Sequence, residues 1–520
     1  MKRVKKIRDK IVLHPIMTFL ILILVTVCIS GLMSLFNITG SYSTINTKTH
    51  SLESTIVTVE NLFSLRGLKY IFSNTVSNFA SFTPLSMLLI ILIGIGIMDK
   101  TGFLDTLFYV LTHKLRKNVV TFILVFLCIG SSIGGDISYI IFIPIAALLF
   151  KYGKRNPQAG IITAFAAISC GIGINIFINS VDSSLLTYTQ DAANLLKENY
   201  VIKISSFWII MVCAMIALSF IITNITEKNI IPRLGKYELE EEETEEKYVS
   251  KKERRSLYIS LIFGAIYVLI FIYNIIPGLP FGGNLLDYSQ KLYIDKLFGY
   301  NSFFNSGFVF VITMLFFIVG LSYGLLTKSI KNQRELCDTL SHSLDGMGKV
   351  LVLIFFSATF VSILKYSNIG AIITTQLANI ISSSKFTGIP LILLIYILST
   401  ISTVLLPSSI YRWSILSPVT VPVLMNSGIS PEFAQIIFRA SESVTYGLTP
   451  VMAYFVIYLA FMEIYNQDRK GVGLFSSLKY LIPYSIFTFL MWLVLIILWY
   501  LVGIPTGIGV SPLLWLLTSK

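Results

Sequence analysis

Long apolar segments dominate the chain, and two of them are interrupted by short polar stretches where a continuous membrane helix has no reason to break. The stretches are Ser131-Ser132-Ile133-Gly134-Gly135-Asp136 and Pro407-Ser408-Ser409-Ile410-Tyr411-Arg412-Trp413. In hydrocarbon every backbone N–H and C=O needs a partner, so irregular backbone is tolerated only inside protein or beside a wet cavity. We therefore predict that each stretch is the tip of a re-entrant hairpin, and that a transport site lies between the two tips.

The composition is that of a polytopic membrane protein. Hydrophobic residues make up 55% of the chain and charged residues 13%, with a mean hydropathy of +0.78, unlike a soluble domain. The formal net charge of +13 is spread over short runs beside apolar spans, which argues against nucleic-acid binding. The five cysteines and four histidines are scattered and lack CxxC spacing, so we expect no metal centre, cofactor or disulfide framework.

Basic residues at the ends of the apolar segments predict the topology. The basic N-terminus precedes a first span near 16–36, which places the N-terminus in the cytoplasm. The apolar region 119–150 has basic residues at both ends, so it is predicted to enter and leave on the cytoplasmic side as a hairpin broken at 131–136. The other predicted spans lie near residues 82–98, 158–180, 204–224, 256–276, 304–326, 348–365, 441–462 and 480–502.

A glutamate-rich segment at 226–255 is too charged to pack, which predicts a cytoplasmic linker between a first half (1–225) and a second half (256–520). The second half contains a hairpin at about 387–427, broken at 407–413, that enters from outside. The predicted fold class is an all-α polytopic membrane protein, an inverted repeat with about nine transmembrane helices and two oppositely oriented re-entrant hairpins. The Ser/Thr-rich segment 37–60 is expected on the outer side of the membrane, and the amphipathic segment at 62–72 at the interface. A further amphipathic segment is predicted at 369–382.

Charged residues inside this apolar frame are the candidates for function, because each costs roughly 2.5 to 3.5 kcal/mol at a helix centre on insertion scales. Asp136 lies at the first tip, and Arg439 and Glu442 at the start of the predicted span 441–462. Asp182 follows Gly171-Ile172-Gly173-Ile174-Asn175, where glycine favours unwinding and Asn175 adds a polar side chain. Plainer interpretations are a loop position for Asp182 and a local i,i+3 ion pair for Arg439 and Glu442.

Trp413 has two interpretations of its own. It could be an aromatic anchor at the membrane interface, but its position at mid-hairpin depth favours the wall of a pocket.

Short motifs along nearly the whole chain match one known family in order and spacing. The family resembled is AbgT, the p-aminobenzoyl-glutamate transporters of the ion transporter superfamily. In the first half the matching motifs are His14-Pro15, Asn78-Phe79, Phe82-Thr83-Pro84-Leu85, Gly94-Ile95-Gly96-Ile97-Met98-Asp99, Thr101-Gly102, the segment 131–139, and Asn175 with Asp182. In the second half they are Trp413, Ser417-Pro418, Ser430-Pro431-Glu432, Phe438-Arg439 and Thr449-Pro450.

The resemblance implies an inner-membrane homodimer in which each protomer has nine spans and two hairpins. It implies uptake of p-aminobenzoyl-glutamate or proton-driven export of sulfonamide-like antimetabolites. The residues it assigns to the site are Asp182, Trp413, Arg439 and Glu442, with Pro431 and Pro450 shaping helices. Arg439 would be the counter-ion of an anionic substrate, and Asp182 the coupling carboxylate.

The chain departs from the family pattern at three places. The family usually has aspartate at Glu442, asparagine at or beside Tyr446, and a smaller pair at Tyr411-Arg412. A longer acid keeps the charge but moves it, and a bulky tip narrows the pocket. Substrate choice is the property that these changes leave open.

The expected function is secondary active transport of a small organic anion, and the coupling ion stays open between two candidates. A proton would use Asp182 or Glu442, with Asp136 as a further carboxylate. Sodium would use oxygens at the two tips and the break, namely those of Ser131, Ser132, Ser408, Ser409 and Asn175. Of these, Ser408, Ser409 and Asn175 are also candidates for substrate contacts.

Other functions have less support from the sequence. A sodium-coupled carboxylate transporter of the same superfamily is the alternative, followed by an uncoupled facilitator. A channel would need a ring of charges or a filter segment. A membrane-embedded enzyme would need a histidine near Ser131 or Ser408, and the sequence predicts none there.

Overall fold

The computed structural model describes residues 13–45, 52–174, 176, 180–235, 237–238, 249–291, 293–298, 302–467 and 471–514. Helices make up most of this range. The first half contains α1 (Pro15–Leu35), β1 (Thr39–Ile45), β2 (Leu52–Thr58), α2 (Leu65–Ala80), α3 (Thr83–Lys100), α4 (Phe103–Lys114), α5 (Lys117–Gly130), α6 (Ile137–Tyr152), α7 (Pro157–Gly171), α8 (Ser180–Asn194), a 3-10 turn (Ile204–Phe207) and α9 (Trp208–Ile225). A π-helical turn (Thr226–Ile230) extends α9 into α10 (Ile231–Leu234).

The second half begins with the long helix α11 (Lys251–Ile275). It continues through α12 (Tyr293–Phe298), α13 (Phe303–Ser306), α14 (Phe308–Thr327), α15 (Gln333–His342), α16 (Met347–Tyr366), α17 (Ile369–Ser383), α18 (Gly388–Leu405), α19 (Ser409–Asn426), α20 (Pro431–Thr445), α21 (Phe455–Ile464) and α22 (Leu474–Val502). The ends of the predicted linker at 226–255 are therefore helical, whereas its acidic core at 239–248 lies outside the described residues.

Eight helical segments of the described chain are long and apolar enough to cross a membrane. They are Pro15–Leu35, Leu65–Lys100, Ser205–Leu234, Lys251–Ile275, Phe308–Thr327, Met347–Tyr366, Gly388–Leu405 and Leu474–Val502. All but Gly388–Leu405 overlap a predicted span. The predicted spans at 158–180 and 441–462 do not qualify, because each is divided into two shorter helices. The chain is thus a multi-pass membrane protein, with eight candidate spans in its described part.

The two divided helices correct the sequence prediction. The first was predicted to run to residue 180, but α7 ends at Gly171 and α8 begins at Ser180. The second was predicted to begin at 441, but α20 begins at Pro431 and ends at Thr445, and α21 starts at Phe455. Glycine at the first break and Pro450 at the second explain why neither helix continues. Arg439 and Glu442 therefore lie late in a helix, not at the start of one.

Both predicted hairpin tips are non-helical or 3-10 segments between two helices. At the first, a 3-10 turn at Ser131–Gly134 separates α5 from α6. At the second, only Leu406, Pro407 and Ser408 separate α18 from α19, so the predicted extent of 407–413 is wrong. Pro407 cannot continue a helix, whereas the residues from Ser409 to Trp413 keep their backbone donors and form the first turns of α19.

The segment 37–60, which was predicted to be polar and on the outer side, contains a two-stranded antiparallel sheet. β1 and β2 pair from Thr39 with Thr58 to Ile45 with Leu52. The sheet lies against α17, where the Gln376 side chain donates to the Thr39 carbonyl at 3.1 Å. The amphipathic segment predicted at 62–72 is part of α2, and that predicted at 369–382 is α17.

The same order of elements occurs in both halves of the chain. A pair of helices around a tip is followed by a divided helix and then by a long apolar helix. In the first half these are α5–α6, α7–α8 and α9, and in the second α18–α19, α20–α21 and α22. The elements of the two halves interleave, since α8 packs on α19 and α20 packs on α7, α8, α18 and α22. This arrangement brings both breaks and both tips together around one cavity.

Candidate functional site

Arg439 and Glu442 lie one helical turn apart on α20, whose side chains are almost all buried. The helix begins with Ser430, whose hydroxyl accepts the Phe433 N–H at 3.3 Å, and with Pro431 at its first position. Arg439 Nη1 donates to Glu442 Oε2 at 2.5 Å. The i,i+3 ion pair predicted as the plainer interpretation is therefore present. Arg439 and Glu442 each also contact residues of other elements.

Arg439 also joins α20 to the break between α7 and α8. Its Nη2 donates to the Ile172 carbonyl at 2.6 Å and lies 3.3 Å from Asp182 Oδ1, in the first turn of α8. The chain comes so close here that a Cβ on Gly173 would lie 2.2 Å from the Arg439 carbonyl oxygen. Only glycine allows this approach, and the approach holds Asp182 beside Arg439.

Glu442 binds a second arginine, Arg412 of α19. Arg412 Nη2 donates to Glu442 Oε1 at 2.6 Å, and its Nη1 donates to the Leu406 carbonyl at 3.0 Å. Both side chains have no exposed surface. The result is a chain of four charged groups, Arg412, Glu442, Arg439 and Asp182, that joins the second tip to the first break.

Two cavities meet at Arg439, which lines both. The larger, about 520 Å³, has Asp182 and Gln435 among mainly apolar residues that include Phe207 and Trp208. The smaller, about 360 Å³, lies between the two tips and is lined by Gly134, Gly135, Asp136, Pro407, Ser408, Ser409, Ile410, Tyr446 and Tyr454, among others. Ile172 lines the smaller cavity and Gly173 the larger. The hydrogen bond from Arg439 to Ile172 therefore lies in the partition between them.

The serines of the first tip face the protein interior. Ser131 Oγ donates to the Cys128 carbonyl at 2.6 Å, and Ser132 Oγ donates to the Ile174 carbonyl at 3.0 Å. The second bond ties the first tip to the break after α7. A serine hydroxyl oxygen is of the type that accepts hydrogen bonds or coordinates a cation.

Trp413 is fully buried and lines neither of the two cavities. Its indole Nε1 donates to Thr189 Oγ1 of α8 at 2.8 Å, and its ring lies 4.4 Å from that of Phe438. Thr189 in turn donates to Gln435 Oε1 at 2.6 Å. Through Thr189, the Trp413 side chain therefore supports Gln435, which lines the larger cavity. Direct contact of Trp413 with the substrate stays a prediction.

The remaining predicted site residues have more distant positions or lie outside the described part. Asn175 lies outside the described residues. Pro431 starts α20, and Pro450 lies in the break before α21, where the Thr449 hydroxyl donates to the Val404 carbonyl at 2.6 Å. Among the described residues no cluster of three or more His, Cys, Asp or Glu could hold a metal ion.

Sequence reasoning missed several residues of the site. Arg412 was noted only as a bulky tip residue, although a charge inside an apolar hairpin arm is itself a signal for a buried partner. The sequence candidates also included three carboxylates, Asp136, Asp182 and Glu442, but only one arginine, Arg439. This imbalance of charge indicates that a further basic residue belongs to the site. Nothing in the sequence distinguishes Gln435, Phe207, Trp208 or Tyr454 from other residues of apolar helices.

A multi-pass helical membrane protein with broken helices and buried charges around central cavities has the architecture of a membrane transporter. Residues 1–514 match the sequence profile of the "AbgT putative transporter family". The chain is 30% identical over 509 residues to the p-aminobenzoyl-glutamate transport protein of Escherichia coli (strain K12), with 98% of this chain and 96% of the relative covered. The chain belongs to the AbgT family of transporters.

Two solved structures are similar to the chain. The YdaH transporter of Alcanivorax borkumensis matches with a TM-score of 0.48 and 26% identity, over 95% of this chain and 100% of that chain. MtrF of Neisseria gonorrhoeae, of a class of antimetabolite efflux pumps, matches with a TM-score of 0.49 and 28% identity, over 96% and 98%. The family membership rests on the sequence matches.

Proposed function

We propose that the protein is a secondary active transporter that moves a small organic anion by alternating access, coupled to a proton or sodium gradient. The observation that carries this proposal is the position of Arg439 in the partition between two cavities. A guanidinium that reaches both cavities can hold an anion on either side of the partition. Its bonds to Ile172 and Asp182 are the ones that would change as the partition opens.

The charges around Arg439 support coupling between the anion and a cation. Arg412 and Arg439 carry two positive charges, and Glu442 and Asp182 carry two negative charges, so the buried group is neutral. Each carboxylate of an entering anion adds one negative charge in a low-dielectric site, which is costly unless it is compensated. A proton on Asp182 or a sodium ion in the smaller cavity would offset one such charge.

The substrate class we propose is that of p-aminobenzoyl-glutamate and sulfonamide-like antimetabolites. The E. coli relative is named for p-aminobenzoyl-glutamate transport. The larger cavity has a volume in the range of small-molecule sites, about 300 to 1,000 Å³. Its apolar lining with Phe207 and Trp208 suits an aryl group, and Arg439 at its edge suits a carboxylate.

The two candidate coupling ions make different demands on the site. A proton would bind at Asp182, whose side chain is 20% exposed and lines the larger cavity. Sodium would bind at oxygens of Asp136, Ser408 and Ser409 around the smaller cavity. Oxygen atoms of Ser131, Ser132 and Asn175, from the first tip and the first break, would be further ligands.

We further propose the assembly and topology implied by the family resemblance. The protein would be a homodimer in the cytoplasmic membrane, with its N-terminus and the 226–255 linker in the cytoplasm, as the basic loops indicate. Each protomer would be an inverted repeat of residues 1–225 and 256–520 with nine spans and two oppositely oriented hairpins. The repeated order of tip, divided helix and long helix supports this division.

Uptake into proteoliposomes tests the proposed function. Purified protein is reconstituted, and labelled p-aminobenzoyl-glutamate is offered with a proton gradient, a sodium gradient or neither. We expect accumulation above the external concentration with one gradient only. If that gradient is one of protons, Asp182→Asn should show no accumulation. Asp338→Asn is the matched control, since Asp338 lies exposed on α15, away from the site.

The alternatives give different results in the same assay. Accumulation of simple carboxylates under a sodium gradient, with none of the aryl substrate, would identify a sodium-coupled carboxylate transporter. Equilibration without accumulation under every gradient would identify an uncoupled facilitator. Either result would contradict the function proposed here.

A further inference from the structure

Arg412 is buried at the point where the second tip meets α20. It lies in the first turns of α19, and its guanidinium contacts the end of α18 through the Leu406 carbonyl and α20 through Glu442. The guanidinium carbon also lies 4.7 Å from the centre of the Phe438 ring. Arginine is suited to such sites because its planar group donates in fixed directions and stacks on aromatic rings. One side chain therefore fixes the tip against the helix that carries Arg439.

Both oxygens of the Glu442 carboxylate accept a guanidinium N–H in this arrangement. Oε1 accepts from Arg412 and Oε2 accepts from Arg439, at 2.6 and 2.5 Å, in a site with no exposed surface on Glu442. Each oxygen therefore contacts one guanidinium, and the charge of the carboxylate is shared between two ion pairs. A proton on Glu442 would remove the charge that compensates two buried arginines, which is costly.

Asp182 is placed differently, although it also contacts Arg439. Its Oδ1 is 3.3 Å from Arg439 Nη2, a longer contact than either one at Glu442. Its side chain is 20% exposed, and it lines the larger cavity. An entering anion can therefore reach Arg439 on the Asp182 side, whereas Glu442 is out of its reach.

We infer that Arg412 is a positioning residue of the transport site. It holds Glu442 as a carboxylate bridge to Arg439, so that Glu442 orients Arg439 and fixes the second tip but does not bind and release the coupling proton. This inference rests on the proposed function and goes beyond it, because it assigns different tasks to the two carboxylates beside Arg439.

Infrared difference spectroscopy tests the assignment of Glu442 without any transport assay. Purified protein is titrated across the neutral range, and the C=O stretch of protonated carboxyl groups is compared between wild type, Glu442→Gln and Asp182→Asn. We expect the same titrating band in wild type and Glu442→Gln. A band that is present in wild type and lost in Glu442→Gln, but kept in Asp182→Asn, would overturn the inference.

Transport kinetics test the positioning role of Arg412. Arg412→Leu leaves Glu442 with one partner, and we expect the KM for the anionic substrate to rise about 10-fold or more, while the maximal rate per folded protein changes less. Arg412→Lys keeps the charge but cannot span Leu406 and Glu442, so an intermediate KM is expected. The charge-balanced pair Arg412→Leu with Glu442→Gln should recover about 10-fold relative to Arg412→Leu alone.

Two outcomes of the transport assay would count against these proposals. If Arg412→Leu leaves the KM unchanged and only lowers the yield of folded protein, the side chain is merely structural and the inference fails. If wild type transports no candidate substrate, the proposed function fails, while the infrared spectra still decide whether Glu442 titrates.

Discussion

Arg439 Nη2 lies 3.3 Å from Asp182 Oδ1 and 2.6 Å from the Ile172 carbonyl oxygen, which places one guanidinium group across the break between two helices of the other half of the chain. The backbone carbonyl is a fixed partner, but the carboxylate can be replaced by the carboxylate of a ligand. A substrate anion that competes with Asp182 for Arg439 would also release Asp182 to bind a proton. Anion binding and cation binding would thereby be linked through one pair of side chains.

Asp182→Asn should still exchange substrate across the membrane but should no longer accumulate it. An asparagine keeps the size of the side chain and removes its charge, so Arg439 stays available to an anion but the proton site is lost. We expect counterflow exchange of labelled substrate to continue, at a rate within about 10-fold of wild type, while uphill accumulation is abolished. Retained accumulation in this variant would show that the coupling ion binds elsewhere.

Gly173→Ala should disrupt the contact between the first break and α20. The new Cβ would meet the Arg439 carbonyl at 2.2 Å and Ser443 Oγ at 2.6 Å, and such overpacking typically costs about 1–3 kcal/mol. We expect a lower temperature of unfolding in detergent and a loss of uptake. Gly348→Ala on α16 is the control, because no heavy atom lies within 4 Å of its Cβ position.

The control makes the result specific to the site. Alanine at Gly348 should leave uptake unchanged and stability unchanged or raised by up to about 1 kcal/mol. Equal effects of the two substitutions would mean that the loss of glycine, and not the approach to Arg439, is responsible.

Trp413 and Thr189 should be coupled in stability. Trp413→Phe keeps the ring beside Phe438 but removes the indole donor to Thr189, a loss of about 1 kcal/mol. Thr189→Val leaves that indole N–H buried without its acceptor, which costs about 1–3 kcal/mol. The double variant should be less destabilised than the sum of the two, by at least about 0.5 kcal/mol, in denaturant unfolding of the purified protein. Additive effects would contradict the hydrogen bond.

The first tip could be predicted from the sequence because its signals are local. Serine and two glycines stand between apolar arms with basic ends, and the 3-10 turn lies at the predicted residues. The second tip also has a local signal in Pro407, which ends α18. Its predicted extent was too long because Tyr411 and Arg412 are polar, and polarity alone does not show that these residues begin the next helix.

The two divided helices could not be recognised by hydropathy. The chain remains apolar through Gly171, Ile172, Gly173 and Ile174, so an apolar window continues across the break. What ends α7 there includes the close approach to Arg439 from the other half of the chain. Ile172 and Arg439 are separated by 267 positions in the sequence. A contact over such a distance leaves no local pattern.

Only part of the candidate site could be predicted, because local signals identify single residues and not their partners in the fold. Charges within apolar segments marked Asp182, Arg439 and Glu442, which the structure brings together. The pairing of Glu442 with Arg412 depends on how α19 packs against α20, and no spacing along the sequence indicates it. The strands β1 and β2 were missed although their Thr, Tyr, Ile and Val residues favour extended structure.

Ligand binding by purified protein tests most directly whether Arg439 is the group that holds the substrate anion. Titration calorimetry compares p-aminobenzoyl-glutamate with its uncharged diamide analogue, using wild type, Arg439→Gln and the exposed-site control Arg334→Gln. We expect wild type and Arg334→Gln to bind the acid about 10- to 100-fold more tightly than the diamide, and Arg439→Gln to lose this preference while remaining folded. Unchanged preference for the acid in folded Arg439→Gln would contradict the role given to Arg439.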